Sequence, residues 1–128
     1  MPDPYLKNSL NLDNFKVIFA NVIRERQIIF HAHYFQEFYL EVNDDVKEKI
    51  GFIFRIIKTV NQIPEKFLKH IEGTEGLFEI RVKLGTNTFR IFCCFDKGDL
   101  VVLFNAFQKK TQKTPKKEIE LAIKLKNE

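Results

Sequence analysis

Between Leu77 and Phe107 the chain carries three apolar runs separated by gaps of only a few residues, and nothing else in it limits the possible folds as tightly. Leu77–Leu84 alternates, with Phe78, Ile80, Val82 and Leu84 on one side and Glu79, Arg81 and Lys83 on the other, the two-residue period of a strand with one buried face. Thr88–Phe95 and Leu100–Phe107 follow after Gly85-Thr86-Asn87 and Asp96-Lys97-Gly98-Asp99. Connections this short join antiparallel neighbours, because a parallel return needs a crossover of about a dozen residues or more. The three runs therefore predict a meander. Leu100–Phe104 is continuously apolar, which predicts an inner strand.

Upstream, Gln27–Ala32 is a short β-type run containing Ile28, Ile29 and Phe30. Tyr34–Val42 places Phe35, Phe38, Tyr39 and Val42 at helical spacing, and Asn43-Asp44-Asp45 then offers an N-cap and first-turn acids for a second helix. In that helix Val46, Ile50, Ile53, Ile57 and Val60 recur every three or four residues, with Phe54 widening the stripe. The short link makes the two helices an antiparallel hairpin. Pro64 closes the pattern, and Pro64–Gly76 reads as a connection. Downstream, Pro115 suits the first turn of a last helix over Lys116–Lys126, with Thr114 as N-cap and Ile119, Ala122 and Ile123 as its inner face. Residues 1–25 form an N-terminal extension in which only Val17–Ile23 has the character of a short helix or strand. The expectation is an α+β fold in the order β-α-α-β-β-β-α, a helical hairpin packed on a small, mainly antiparallel sheet with a C-terminal helix. It occupies residues 26–128 as one domain, a length suited to a single core.

Composition removes several classes. A hydrophobic fraction of 45% with fourteen Phe excludes a disordered chain. No apolar run approaches the roughly 20 residues of a membrane span, and Val17–Ile23 is short, contains Asn21 and lacks a small-residue cleavage pattern, so a cytoplasmic location is expected. Cys93 and Cys94 are adjacent and in a strand point to opposite faces, as reduced core thiols would. No metal-ligand spacing, Gly-rich phosphate loop or Ser/His/Asp arrangement is present, so neither metal nor cofactor is expected. His31, His33 and His70 sit in no motif and read as structural or surface residues.

Charge is more informative in its distribution than in its sum. Residues 1–108 carry 14 Lys+Arg against 14 Asp+Glu, while residues 109–128 carry 7 against 3, so the whole net charge of +4 lies in the last twenty residues. A basic segment on a neutral body is a local footprint for a polyanion. The meander adds a second feature. A hairpin loop of two or four residues at Gly85-Thr86 pairs residues whose numbers sum to 171, setting Arg81 opposite Arg90; a three-residue loop separates them. Opposed cations call for an anion between them, either a phosphodiester matched to the guanidinium forks or a carboxylate such as Glu79. Gln108–Lys117 continues from the third run and can bring more cations to the same place, and Lys116 and Lys117 occupy a helix start where acids are preferred. That helix start can also present amides to a phosphate.

The order of elements, Glu72-Gly73-Thr74-Glu75-Gly76-Leu77-Phe78-Glu79-Ile80-Arg81, the Phe89-Arg90-Ile91-Phe92 strand and above all Phe107-Gln108-Lys109-Lys110-Thr111-Gln112-Lys113-Thr114-Pro115 resemble the phage-derived HigB branch of the RelE/ParE toxin superfamily, from about Arg26 to Lys126. The resemblance implies a RelE-like fold and the toxin of a type II toxin-antitoxin pair, neutralised by a protein antitoxin that often carries a helix-turn-helix domain. It further implies cleavage of mRNA on the ribosome without a metal, by attack of a 2′-hydroxyl on the adjacent phosphate. Arg81 and Arg90 resemble the family's sheet-borne basic residues and would stabilise the phosphate. Lys109 or Lys110 resembles the basic residue after the last strand, with proton transfer falling to Lys109 or Lys113 and RNA contacts to Lys83, Lys110, Lys116 and Lys117. Some RelE members end with a catalytic Tyr, whereas Tyr5, Tyr34 and Tyr39 all lie early in this chain, so another acid or base has to act. Two further readings share these features: a ParE-like toxin that binds DNA gyrase and cuts nothing, and a non-catalytic RNA-binding domain.

Overall fold

A computed structural model describes residues 25–128; Val17–Ile23 and the rest of residues 1–24 lie outside the described residues. The elements are β1 (Gln27–Phe30), α1 (Tyr34–Glu41), α2 (Asp44–Thr59), β2 (Leu68–His70), β3 (Phe78–Leu84), β4 (Asn87–Asp96), β5 (Leu100–Lys109) and α3 (Lys116–Lys126). They build a mixed five-stranded sheet in the order β1-β5-β4-β3-β2. Only β1 runs parallel to its neighbour, with Ile28 beside Val101 and Phe30 beside Leu103. This is the expected α+β architecture with one strand added.

The α2 helix begins where Asn43 accepts the Val46 amide at 3.0 Å, with Asp44 and Asp45 facing the positive end of the helix dipole. Its stripe of Val46, Ile50, Ile53 and Ile57 is buried against Ile80, Val82 and Ile91 of the sheet, with Phe35 of α1 completing this main core. Each fully buried Ile contributes about 2 kcal/mol through the apolar area it removes from water. Arg26, just before β1, donates to the carbonyls of Ile57, Val60 and Asn61 at 2.8, 2.6 and 2.8 Å. It thereby satisfies the end of α2, where backbone acceptors lack helical partners, and ties the entry of β1 to that helix.

The opposite face of the sheet carries a smaller core, in which Ala122 and Leu125 of α3 cover Leu77, Phe92 and Phe104. Two expectations for α3 need correction. Leu125 is buried, whereas Ile123 is 37% exposed, so the inner face is turned from the expected one. Thr114 does not cap the helix: Pro115 holds the N-cap position without a side-chain bond. The helix start is held instead from the sheet, where Asn105 Nδ2 donates to the Glu118 main-chain oxygen at 3.0 Å and to its carboxylate at 2.9 Å.

Part of the stretch read as a connection, Leu68–His70, pairs antiparallel with β3, setting Lys69 beside Glu79. Three residues are too few to show alternation, and the pairing is decided by the β3 edge they meet. Cys93 is buried in the main core and Cys94 half-buried toward the smaller one, both as free thiols, and burial raises the pKa of each.

Candidate nucleic-acid interface

The β3-β4 hairpin turns through two residues, Gly85 and Thr86, between the paired Leu84 and Asn87. Gly85 has φ 62°, a left-handed conformation that costs glycine nothing and suits the leading position of a tight hairpin turn. This loop length sets Arg81 directly opposite Arg90, Lys83 opposite Thr88, and Glu79 opposite Phe92. All six share the face that α3 covers only at its Phe92 end.

β5 joins that face through an irregularity. Ile91 pairs with Ala106 but Cys93 with Leu103, so Phe104 and Asn105 together stand opposite Phe92 as a β-bulge. The extra residue reverses the facing of the strand beyond it. Val101 and Leu103 look into the main core, yet Phe107 turns to the smaller one and Lys109 pairs with Thr88 on the arginine side. Without the bulge the two-residue period would send Lys109 to the hydrophobic side.

Glu79 stands between the arginines. Its carboxylate lies 3.4 Å from Arg81 Nε and 3.4 Å from Arg90 Nε, as expected of the carboxylate alternative. Glu79 and Arg90 are each only 6% exposed, while Arg81 is half-buried. The triad is nevertheless unsaturated: Glu79 Oε2, Arg81 Nε and Arg90 Nε lack hydrogen bonds, the 3.4 Å approaches being poorly aligned. Arg90 spends one donor on the Phe89 carbonyl at 3.1 Å. Burial pulls the Arg90 guanidinium below its ordinary pKa, with Glu79 opposing and Arg81 reinforcing. Since arginine keeps its proton in proteins, this marks a cation held at a cost rather than a neutral side chain. Burial, and then Arg90, likewise hold the Lys109 ammonium below the usual lysine value; Glu79 opposes, and Arg81 and Lys69 add to the lowering.

The structure thus brings Arg81, Arg90 and Lys109 into one electrostatic cluster, with Lys83 exposed at its margin. Lys110, Lys113, Lys116 and Lys117 are exposed on the turn and first residues of α3 beyond it, Lys116 lying 3.9 Å from Glu120. Sequence reading missed Lys69, which sits in an unrecognised strand, and the bulge residue Asn105. The histidines are engaged elsewhere: His31 contacts Glu128 at 2.7 Å, His33 lies 3.6 Å from Glu37 and His70 contacts the Thr74 carbonyl at 3.0 Å. Among the described residues no group of three or more His, Cys, Asp or Glu could hold a metal ion, and no helix is long and apolar enough to cross a membrane.

Residues 37–127, from within α1 to the residue that follows α3, match the family described as phage-derived protein Gp49-like (DUF891). The chain belongs to the Gp49-like family. That family lies in the RelE/HigB-like group of toxin-antitoxin toxins, so an antitoxin partner is suggested for this Gp49-like protein too. The match spans every residue of the basic cluster and leaves out β1. No individually curated protein matches the sequence.

Proposed function

We propose that this Gp49-like chain is the toxin of a type II pair and that it cleaves messenger RNA on the ribosome. The observation that supports this reading most strongly is the largely buried, incompletely satisfied Glu79/Arg81/Arg90 cluster beside Lys109, whose pKa burial and then Arg90 lower. In the proposed reaction the Lys109 amine, in its free-base form, takes the proton of a ribose 2′-hydroxyl. The resulting oxyanion attacks the adjacent phosphorus, and the bond to the 5′-oxygen of the next nucleotide breaks as that oxygen gains a proton. Arg81 and Arg90 face the non-bridging oxygens, whose negative charge grows in the pentacoordinate transition state. Each has an unused Nε donor to turn toward phosphate. Glu79 positions the two forks before RNA arrives. Lys83, Lys110, Lys116 and Lys117 contribute phosphate contacts along the strand, and Lys113 is the second candidate, beside Lys109, for proton transfer. A helix-turn-helix antitoxin is the proposed neutralising partner.

Induced expression tests the reading. The expected result is growth arrest with message cuts confined to translated regions. Intact messages together with inhibited DNA supercoiling would instead establish the gyrase-binding alternative, and RNA binding without cuts the non-catalytic one.

A further inference from the structure

Four buried side-chain atoms among the described residues have no hydrogen-bond partner. Three belong to the arginine cluster; the fourth is Oδ1 of Asn105, a side chain only 2% exposed at the β5 bulge. Because Nδ2 donates to the main-chain oxygen and to Oε2 of Glu118, the amide cannot be turned over without setting its oxygen against a carboxylate. Asn105 therefore keeps an unused acceptor.

Asn105 lines a cleft of about 440 Å³ between α1 and α3. Its floor is Asn105–Gln108 of β5, and its walls include Glu37 and Glu41 of α1 and Glu118 of α3. Since β1 pairs only with Leu100–Leu103, the outer edge of β5 from Phe104 onward has no strand partner among the described residues. Neither Lys nor Arg lines the cleft, in a chain that has 21 of them. It is an acceptor-rich slot: three carboxylates beside a stretch of β5 edge that no other described strand pairs with.

We infer that this cleft takes an arginine side chain carried on an extended segment of a protein partner, whose main chain lies along the free edge of β5. The acceptors are spread over α1, β5 and α3 and do not converge on a metal-sized point. A guanidinium, with five donors in one plane, can reach several acceptors at once, whereas an ammonium acts as a single point charge. Strand addition to an open edge supplies main-chain bonds, and the side-chain slot supplies selectivity. RNA is the wrong occupant, since its phosphates would meet three carboxylates. The inference is independent of what the arginine face does.

The test is an NMR titration of the full-length ¹⁵N-labelled protein with the blocked tripeptide acetyl-Val-Arg-Val-methylamide and with its citrulline counterpart, which keeps the shape and loses the charge. The arginine peptide should give saturable shifts of the Asn105 side-chain amide and of the backbone amides over 104–109; the citrulline peptide should not. Glu37→Gln combined with Glu41→Gln, both at exposed positions that leave the core intact, should weaken binding about fivefold, as befits two partly screened ion pairs. Equal shifts with citrulline, no saturable shift, unchanged affinity in a double variant with an intact spectrum, or displacement of the same resonances by a single-stranded oligonucleotide instead would each overturn it.

Discussion

Arg81 on β3 stands directly opposite Arg90 on β4, and the carboxylate of Glu79 lies 3.4 Å from the Nε of each. Two like charges in register oppose the pairing of their strands. A buried acid with hydrogen-bonding capacity to spare offsets that cost without saturating either guanidinium. The pair is therefore arranged before any substrate is present, and preorganised charge is the kind that favours a transition state over a ground state.

Arg90→Ala should lower the cleavage rate by a hundredfold or more, corresponding to about 3 to 4 kcal/mol of lost transition-state stabilisation. Arg90→Lys should recover only part of it, because a single ammonium cannot present the fork. Single-turnover rates on translated message, read beside thermal melts, separate this effect from misfolding. Equal activity in Arg90→Ala and the parent would remove Arg90 from the mechanism.

Glu79→Gln leaves two opposed guanidiniums beside a neutral amide. Folding stability should fall by about 1 to 3 kcal/mol, the cost of an uncompensated buried group. Phosphate at fixed ionic strength should raise the melting temperature of this variant more than that of the parent, because an oxyanion can supply beside the guanidiniums the negative charge that the amide lacks. Equal phosphate responses would show that the arginines do not form an anion site.

The lowered pKa of Lys109 fixes the sign of two pH effects. In the proposed role of base it must be unprotonated, so the cleavage rate should rise with pH and level off above its own pKa, below the ordinary lysine value. Lys109→Arg, which cannot release its proton, should lose that limb together with most of the rate. For stability, the folded state binds the proton less tightly than the unfolded chain. The contribution is complete above the unfolded lysine pKa and is lost as pH falls through the folded one.

How the sequence encodes this arrangement differs from residue to residue. Alternation in Leu77–Leu84 and a two-residue turn led by Gly85 are enough to set Arg81 against Arg90, because register follows from loop length. The helical hairpin is equally open to reading in the spacing of Ile50, Ile53 and Ile57. The position of Lys109 is not. It depends on a bulge at Phe104 and Asn105, and nothing local in Leu103-Phe104-Asn105-Ala106 announces one; the packing of α3 and the Asn105 bonds to Glu118 decide it. β2 is hidden for a related reason, since three residues become a strand only when an edge is there to pair with.

The exposed lysines should contribute to affinity more than to chemistry. Each phosphate contact to a single strand adds about 0.7 to the slope of log affinity against log salt. Replacing Lys110, Lys116 and Lys117 by Ser should flatten that slope, with a smaller loss of single-turnover rate at saturating RNA than Arg90→Ala causes. Filter binding over a salt series measures it, and an unchanged slope would place the RNA path elsewhere.

Arg26 tests the scaffold rather than the site. Arg26→Ala removes three bonds to the end of α2 and should destabilise the fold by about 1 to 3 kcal/mol, read by chemical denaturation. A loss near zero would mean that water replaces the guanidinium at those carbonyls.

The chemistry of the cut ends tests the central claim most directly. Message cleaved by the purified protein on translating ribosomes should carry 2′,3′-cyclic or 3′-phosphate on the upstream fragment and 5′-hydroxyl on the downstream one, and Lys109→Met and Arg90→Ala should yield almost none. Ends bearing 3′-hydroxyl and 5′-phosphate, or cuts that persist undiminished in both variants, would contradict attack by the 2′-hydroxyl at the Arg81/Arg90/Lys109 face.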